Sequence, residues 1–238
     1  FVLPAWNPGS YMIREFARHI VRLVALSGGR RLRVEKIDKH TWRCARTEHE
    51  ITLAYEVYAH DLSVRAAHLD PGHGFFNGAA VFLRPIGFDR HPCRVDILPP
   101  AAAAGRGWRL ITGLRPAPAV RPGRFGAYLA QDYEELIDCP VEMGPFELGR
   151  FDVFGVAHEI AISGRVARLD LARVTADLKR LCEAHVRLFE PRTRRAPFDR
   201  YAFLTLAVDD GYGGLEHRNS SALICRRDDL PYAGMKEP

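Results

Sequence analysis

The near-continuous apolar run Tyr201-Ala202-Phe203-Leu204-Thr205-Leu206-Ala207-Val208 restricts what this chain can fold into more than any other stretch. A strand that is apolar on both faces has to be covered on both sides, so it belongs inside a sheet with a layer above and a layer below. It opens directly into Asp210-Gly211-Tyr212-Gly213-Gly214-Leu215-Glu216-His217-Arg218-Asn219-Ser220, where glycines are followed by a carboxylate next to an imidazole. Glycine weakens a strand unless another backbone has to come close. One such backbone is a peptide laid along a strand edge and held by main-chain hydrogen bonds. Glu216 then stands where it can pair with a free amino terminus. The same residues also fit a tight turn that carries a surface Glu and His.

The first two thirds of the chain alternate short β runs with turn clusters, the pattern of an antiparallel β-sandwich or saddle. The run at 19–26 ends at Ser27-Gly28-Gly29, and further runs follow at 32–37 and 40–44. At 50–58, Ile51, Leu53, Tyr55 and Val57 fall on one face at period two. Later strands are predicted at 80–83, 94–98 and 108–112, and residues 116–126 read as an exposed loop. After a return to β at 146–164, Asp170 is a natural N-cap for a long helix that stops before Pro191. Its stripe of Leu171, Val174, Leu178, Leu181, His185 and Leu188 needs an apolar floor, which the strand at 201–208 can provide. The pattern predicts an α+β, mostly β chain. Residues 1–150 are expected to form a β-rich domain, and residues 151–238 the strand-helix-strand opening of a second.

Composition excludes several classes. A hydrophobic content of 47% and a charged content of 26% over 238 residues are those of a globular protein. No apolar run approaches the roughly 20 residues of a membrane helix. The net charge of +5 comes from arginines scattered among acidic neighbours. The densest basic group, Arg192-Thr193-Arg194-Arg195, lacks the interleaved aromatics that stack bases, so no nucleic-acid partner is expected. The cysteines Cys44, Cys93, Cys139, Cys182 and Cys225 show no C-x-x-C pair, which argues for reduced thiols and a cytoplasmic location. His60, Asp61, His68, Asp70 and His73 crowd together around an Asp-Pro-Gly turn without helical ligand spacing, so loop hydrogen bonding is expected there rather than a metal. Glu134, Glu135, Asp138 and Glu142 read as a short solvated turn between domains.

Gly213-Gly214-Leu215-Glu216-His217, with Arg218-Asn219-Ser220 behind it, resembles the Gly-Gly-Leu-Glu-His segment of the glycyl aminopeptidase family of zinc metallopeptidases. That family is similar to the aminopeptidase N and leukotriene hydrolase group, which has Gly-x-Met-Glu-Asn in the equivalent place. The stretches 3–18 (Leu-Pro-Ala-Trp-Asn-Pro-Gly-Ser-Tyr-Met-Ile-Arg-Glu-Phe-Ala-Arg) and 132–144 (Asp-Tyr-Glu-Glu-Leu-Ile-Asp-Cys-Pro-Val-Glu-Met-Gly) carry the same resemblance. It implies that Gly213, Gly214, Leu215, Glu216 and His217 bind a peptide substrate. Glu216 would hold the α-amino group, and His217 would donate to the substrate backbone. The family's zinc site, a helical H-E-x-x-H, has no counterpart here. The nearest string, His158-Glu159-Ile160-Ala161-Ile162, has Ile in place of the second His and lies in a strand-like run.

The resemblance therefore implies the front of a zinc aminopeptidase that removes amino-terminal residues from peptides, with Gly a candidate first residue. It comprises a β domain and the beginning of a thermolysin-like catalytic domain. Zinc, catalytic base and a PDZ domain would lie beyond Pro238, no residue of this chain would be catalytic, and the fragment alone would be inactive. The other reading is a non-catalytic β-rich binding or scaffold module in which the glycine segment is only a turn.

Overall fold

The computed structural model describes residues 1–235. Its strands in chain order are β1 (Ile20–Ser27), β2 (Arg30–Leu32), β3 (Val34–Lys36), β4 (Trp42–Cys44), β5 (Ile51–Val57), β6 (Ala67–Leu69), β7 (Gly74–Phe76), β8 (Cys93–Ile97), β9 (Arg109–Thr112), β10 (Arg115–Pro116) and β11 (Gly126–Ala130). The short helix α1 (Tyr133–Ile137), β12 (Val141–Gly144), β13 (Glu147–Val153) and β14 (Val156–Ser163) follow. Then come the long helix α2 (Leu171–Phe189), β15 (Arg200–Val208), β16 (Gly213–Glu216) and β17 (Ser220–Arg226). The protein is mostly β with few helices, and among the described residues no helix is long and apolar enough to cross a membrane.

The strands before residue 145 pair antiparallel in small sheets, ordered β2-β1-β5, β10-β11-β8, β6-β7-β12-β9 and β3-β4. The rest of the chain builds one mixed sheet in the order β13-β14-β15-β17-β16. Its inner strands β14, β15 and β17 run parallel, and the edge strands β13 and β16 run antiparallel to their neighbours. The parallel step from β14 to β15 needs a crossover, and α2 is that crossover.

Both faces of β15 are covered, as its composition requires. Ala202 and Leu204 are buried with Val64, Phe75, Ile111, Phe146, Leu215 and Ala222, which ties the four-stranded sheet to the mixed one. On the other face Ala207 packs with Ile160, Ile162 and Val174 of α2. A separate core around Leu3, Trp42, Leu110, Leu114, Tyr128 and Val141 holds the smaller sheets together.

Three sequence expectations need correction. Residues 80–83 do not form a strand: a 3-10 turn at Gly78–Ala80 is capped by Asn77, whose side chain accepts from the Ala79 N–H at 3.2 Å. The stripe of α2 is only half used. Asp170 does cap the helix, accepting from the Arg173 N–H at 3.0 Å, and Val174 is buried, but Leu181 is 57% exposed and Leu188 70%. The floor explains this. Leu171 and Thr175 descend onto Gly149 of β13, where a Cβ would lie 2.4 Å from Thr175 Cγ2, so the helix settles toward the β13 edge. Its second half stands off the sheet across a cavity lined by Leu178, Leu181, Phe189, Phe198, Tyr201 and Phe203.

The acidic group at 132–144 is not solvated throughout. Tyr133, Leu136 and Ile137 of α1 are buried, and Glu142 on β12 is 1% exposed. Glu142 accepts a hydrogen bond from Ser163 Oγ at the end of β14 and lies 2.8 Å from His73 Nε2 in the β6–β7 turn. Burial alone lowers the pKa of His73, but the hydrogen bond and charge of Glu142, with Asp70 behind, raise it above its ordinary 6.5. A raised folded-state value makes the pair's contribution to stability complete below 6.5 and progressively lost as pH rises through the raised value. The histidines with lowered values, His19 and His158, act in the window below 6.5 instead. Urea denaturation of the wild type is therefore expected to show stability falling as pH rises above 6.5, with a flatter profile for His73→Gln. Identical profiles would show that the pair does not couple the two sheets.

Candidate functional site

β16 is the last strand of the mixed sheet, paired on one side with β17 through Gly213↔Ile224 and Glu216↔Ser221. Its other edge has no strand beside it among the described residues. Strand alternation sorts the predicted substrate-binding residues into two sets. Leu215 and His217 are buried, whereas Gly214 and Glu216 are exposed and Gly213 is half-buried. Leu215 anchors the strand in the inter-sheet core, and the Glu216 carboxylate faces outward.

The turn after β16 is fastened to the preceding sheets by side chains. The His217 ring, with its side chain fully buried, has Nδ1 2.9 Å from Asp138 Oδ1. The other oxygen of Asp138 accepts from the Arg218 N–H at 3.2 Å. Asn219 donates its amide to the Gly113 carbonyl at 3.0 Å and lies 3.7 Å from Cys139 Sγ. Tyr201 on β15 donates to the Ser220 carbonyl at 3.0 Å. A carboxylate at Nδ1 fixes the proton there, so the ring serves as a strut directed at Asp138. Asp138 lies 79 residues from His217 in sequence, and its place in an acidic run gave no sign of this partner.

The amino-terminal stretch arrives from the other side. Gly9 adopts φ +79°, and a Cβ there would lie 3.0 Å from the Glu216 carbonyl oxygen, 3.2 Å from Leu215 Cδ1 and 3.6 Å from the Glu216 carboxyl carbon. Only a glycine lets this loop close against β16 in this conformation. The stretches 3–18, 132–144 and 210–220, far apart in the chain, meet around one four-residue strand.

A sequence profile of the Peptidase M61 N-terminal domain matches residues 1–145. The chain belongs to that family. An aminopeptidase N family protein from Idiomarina loihiensis, of solved structure, is 43% identical with a TM-score of 0.94; the alignment covers 100% of this chain and 39% of that one. The chain thus spans about two fifths of that relative's length. An M1 zinc metallopeptidase from Deinococcus radiodurans is far more distant, at 12% identity and a TM-score of 0.47, over 85% of this chain and 50% of that one. A two-domain M1 zinc metallopeptidase bound to L-arginine stands at 13% and 0.47, with the same coverage. No curated protein sequence matches the chain significantly.

The other groups singled out in the sequence take part in structural contacts among the described residues. His158-Glu159-Ile160-Ala161-Ile162 lies in β14, where His158 stacks on Phe151 and Tyr201, and Glu159 pairs with Arg150 at 2.8 Å. Asp70 accepts from the Gly72 and His73 N–H groups at 2.6 and 2.8 Å and contacts the His68 ring at 3.0 Å, the hydrogen-bonded loop expected from its sequence. Among the described residues no group of three or more His, Cys, Asp or Glu is arranged to hold a metal. Burial, aided by the charges of Asp138 and Glu135, pushes the Cys139 thiol up to about 12, so it stays protonated at neutral pH.

Removing Asp138 leaves the buried His217 ring and the Arg218 N–H without their acceptor. Asp138→Ala is expected to cost about 1–3 kcal/mol and to open the β16–β17 turn locally. Denaturant melts together with amide exchange at Glu216 and His217 check this. Full protection of those amides in the variant would contradict it.

Proposed function

We propose that this chain is the front, substrate-cleft part of a zinc-dependent aminopeptidase. The outer edge of β16 receives a peptide main chain, and Glu216 receives its free amino terminus. The observation that carries the reading is that folding does not require the glycines of β16. Neither Gly213 nor Gly214 has a left-handed φ. A Cβ on Gly213 would come no closer than 3.7 Å to Val64, and one on Gly214 no closer than 3.6 Å to Leu223, which are ordinary contacts. Side chains are thus absent, without internal need, on an unpaired strand edge next to an exposed carboxylate. An approaching peptide backbone is a physical reason for that arrangement. The simple-turn reading fits less well, because Gly213–Glu216 is a paired strand rather than a turn.

In this reading residues 1–150 are the amino-terminal β domain, and residues 151–238 begin a thermolysin-like catalytic domain. Zinc, catalytic base and a PDZ domain belong to a longer protein, whose location we take to be cytoplasmic. The described residues do not fit a catalytic zinc, so no chemical step is assigned to one here. What the chain contributes is binding and orientation. Main-chain groups of Gly213 and Gly214 align the peptide, Leu215 and His217 hold the strand from beneath, and Glu216 fixes the ammonium. Preference for glycine as the first residue follows only from the resemblance.

A charge-assisted hydrogen bond of this kind contributes about 1.5–3 kcal/mol. In the full-length protein, Glu216→Gln is expected to lower kcat/KM for peptides with a free amino terminus by roughly ten- to a hundred-fold, with much less effect on blocked ones. An unchanged ratio of free to blocked turnover removes Glu216 from the role. Gly213→Val should keep its thermal midpoint and lose peptide turnover, since its side chain occupies the path of the substrate backbone. Residues 1–238 alone should hydrolyse no peptide, and chelator-sensitive aminopeptidase activity from them would refute the division of labour.

A further inference from the structure

The amino-terminal stretch closes on β16 through one turn, and that turn meets a particular main-chain group. Asn7-Pro8-Gly9-Ser10 has proline second and glycine third, Gly9 has φ +79°, and the Ser10 N–H donates to the Asn7 carbonyl at 3.1 Å. These are the marks of a type II β-turn, whose third residue needs a positive φ. The turn is pinned from both ends. Asn7 is 0% exposed and its side chain donates to the Arg65 carbonyl at 2.8 Å, and the Trp6 indole N–H donates to the Ser10 carbonyl. A Cβ on Gly9 would lie 3.0 Å from the Glu216 carbonyl oxygen and 3.6 Å from its carboxyl carbon.

The direction of that carbonyl follows from the ladder. The His217 N–H donates to the Ser220 carbonyl at 2.9 Å, in the same register that pairs Leu215 with Ala222 and Gly213 with Ile224. In an antiparallel pair the main-chain groups of successive residues alternate between the partner strand and the opposite side. Gly213, Leu215 and His217 therefore bond to β17, and Gly214 and Glu216 turn their N–H and C=O groups to the outer edge. The main-chain contact proposed above narrows to Gly214, with Gly213 leaving the approach open. Glu216 offers its N–H, while Gly9 occupies the space in front of its carbonyl.

We propose that the turn at Gly9 is a stop: it ends the binding edge at Glu216 and restricts the cleft to chain ends. The inference rests on the reading of Glu216 as the partner of the ammonium. Outward ladder pairs recur at every second residue. A peptide antiparallel to β16, with one residue paired to Gly214, would place the residue two positions before it opposite Glu216. Gly9 stands there. The bound chain has room for a single residue before the paired one, and the nitrogen of that residue ends beside the Glu216 carboxylate. Charge and space then act together. The carboxylate favours an ammonium, and the turn excludes the carbonyl that an acyl group or a preceding residue would attach to the same nitrogen. A carboxylate without the stop would leave an internal segment of a longer peptide free to lie across the edge.

The test compares the full-length protein on Ala-Ala-Ala and N-acetyl-Ala-Ala-Ala, by kcat/KM for each and by the inhibition constant of the acetylated peptide against turnover of the free one. Gly9→Ala brings a Cβ too close to the Glu216 carbonyl and strains the positive φ, so it drives the turn off the edge. Asn7→Ala releases the turn from Arg65. In both variants the acetylated peptide is expected to gain about ten-fold over the wild type in turnover or in inhibition, the scale of relieving one steric overlap. Should Gly9→Ala not fold, Asn7→Ala and Pro8→Gly, which only loosen the turn, read the same gain. No gain for the acetylated peptide in any of these variants overturns the proposal. So does an equal loss on both peptides, which is what damage to the fold alone produces. Glu216→Gln separates the two ideas, because it acts by loss on the free peptide rather than by gain on the acetylated one. If it suppresses the free peptide while the turn variants leave the acetylated one unchanged, only this inference fails. If it has no effect, the reading beneath it fails as well.

Discussion

β15 can exist only between two apolar layers, and the architecture follows from supplying them. Ala202 and Leu204 on one face meet Phe75 and Ile111 of the antiparallel four-stranded sheet, while Ala207 on the other meets Val174 of α2. Burying side chains such as Leu204, Phe75, Ile111 and Val174 stabilises by about 1.5–3 kcal/mol each, which favours the stacking of the sheets. Once β15 is fixed between its layers, β17 is set beside it by parallel pairing, and β16 becomes the exposed edge. The position of Glu216 is thus a consequence of how a buried strand two places away is covered.

Apolar layers leave rotation and sliding weakly specified, and the polar contacts between sheets remove that freedom. Glu142 with His73 and Ser163 joins β12 to the end of β14, and Asp138 with His217 and Arg218 joins the end of α1 to the β16–β17 turn. Both acids are partly or wholly removed from water, so each is favourable only while its partners are in place. That condition makes them sensitive to geometry in a way that leucine contacts are not. It is also why both acids occur within the short stretch 132–144, which forms the seam between the antiparallel sheets and the mixed sheet.

Strand periodicity and turn residues made most of the β elements legible, because period two with flanking Gly and Pro is a local signal carried by residues such as Ile51, Leu53, Tyr55 and Val57. The cap of α2 at Asp170 was legible for the same reason. Its packing was not, since Leu181 and Val174 look alike along a helical stripe, and only Gly149, more than twenty residues upstream, decides which of them meets the sheet. The candidate site was half legible. Glu216 stood out as a candidate through its glycines, but Asp138 was hidden among other acids, and Gly9 carried no sign of its contact with β16. Contacts between residues so far apart in sequence leave no trace in spacing.

An unpaired strand edge is a liability, and proteins blunt such edges with short strands, charges or a covering segment. β16 has four residues and an outward carboxylate, yet it also lacks side chains at Gly213 and Gly214, which makes its main chain easier rather than harder to approach. Protection against aggregation alone would favour the opposite choice at those two positions, a charged or branched side chain over the edge. Among the described residues, neither the backbone conformation nor the neighbouring atoms exclude a Cβ at either position. An edge that is short enough to resist pairing with another sheet, open enough to admit a single backbone, and charged at one end is suited to one extended strand with a cationic terminus. The backbone conformation and the immediate neighbours thus leave room for a Cβ at both positions, and a ligand main chain laid along the edge is the physical reason we propose for its absence.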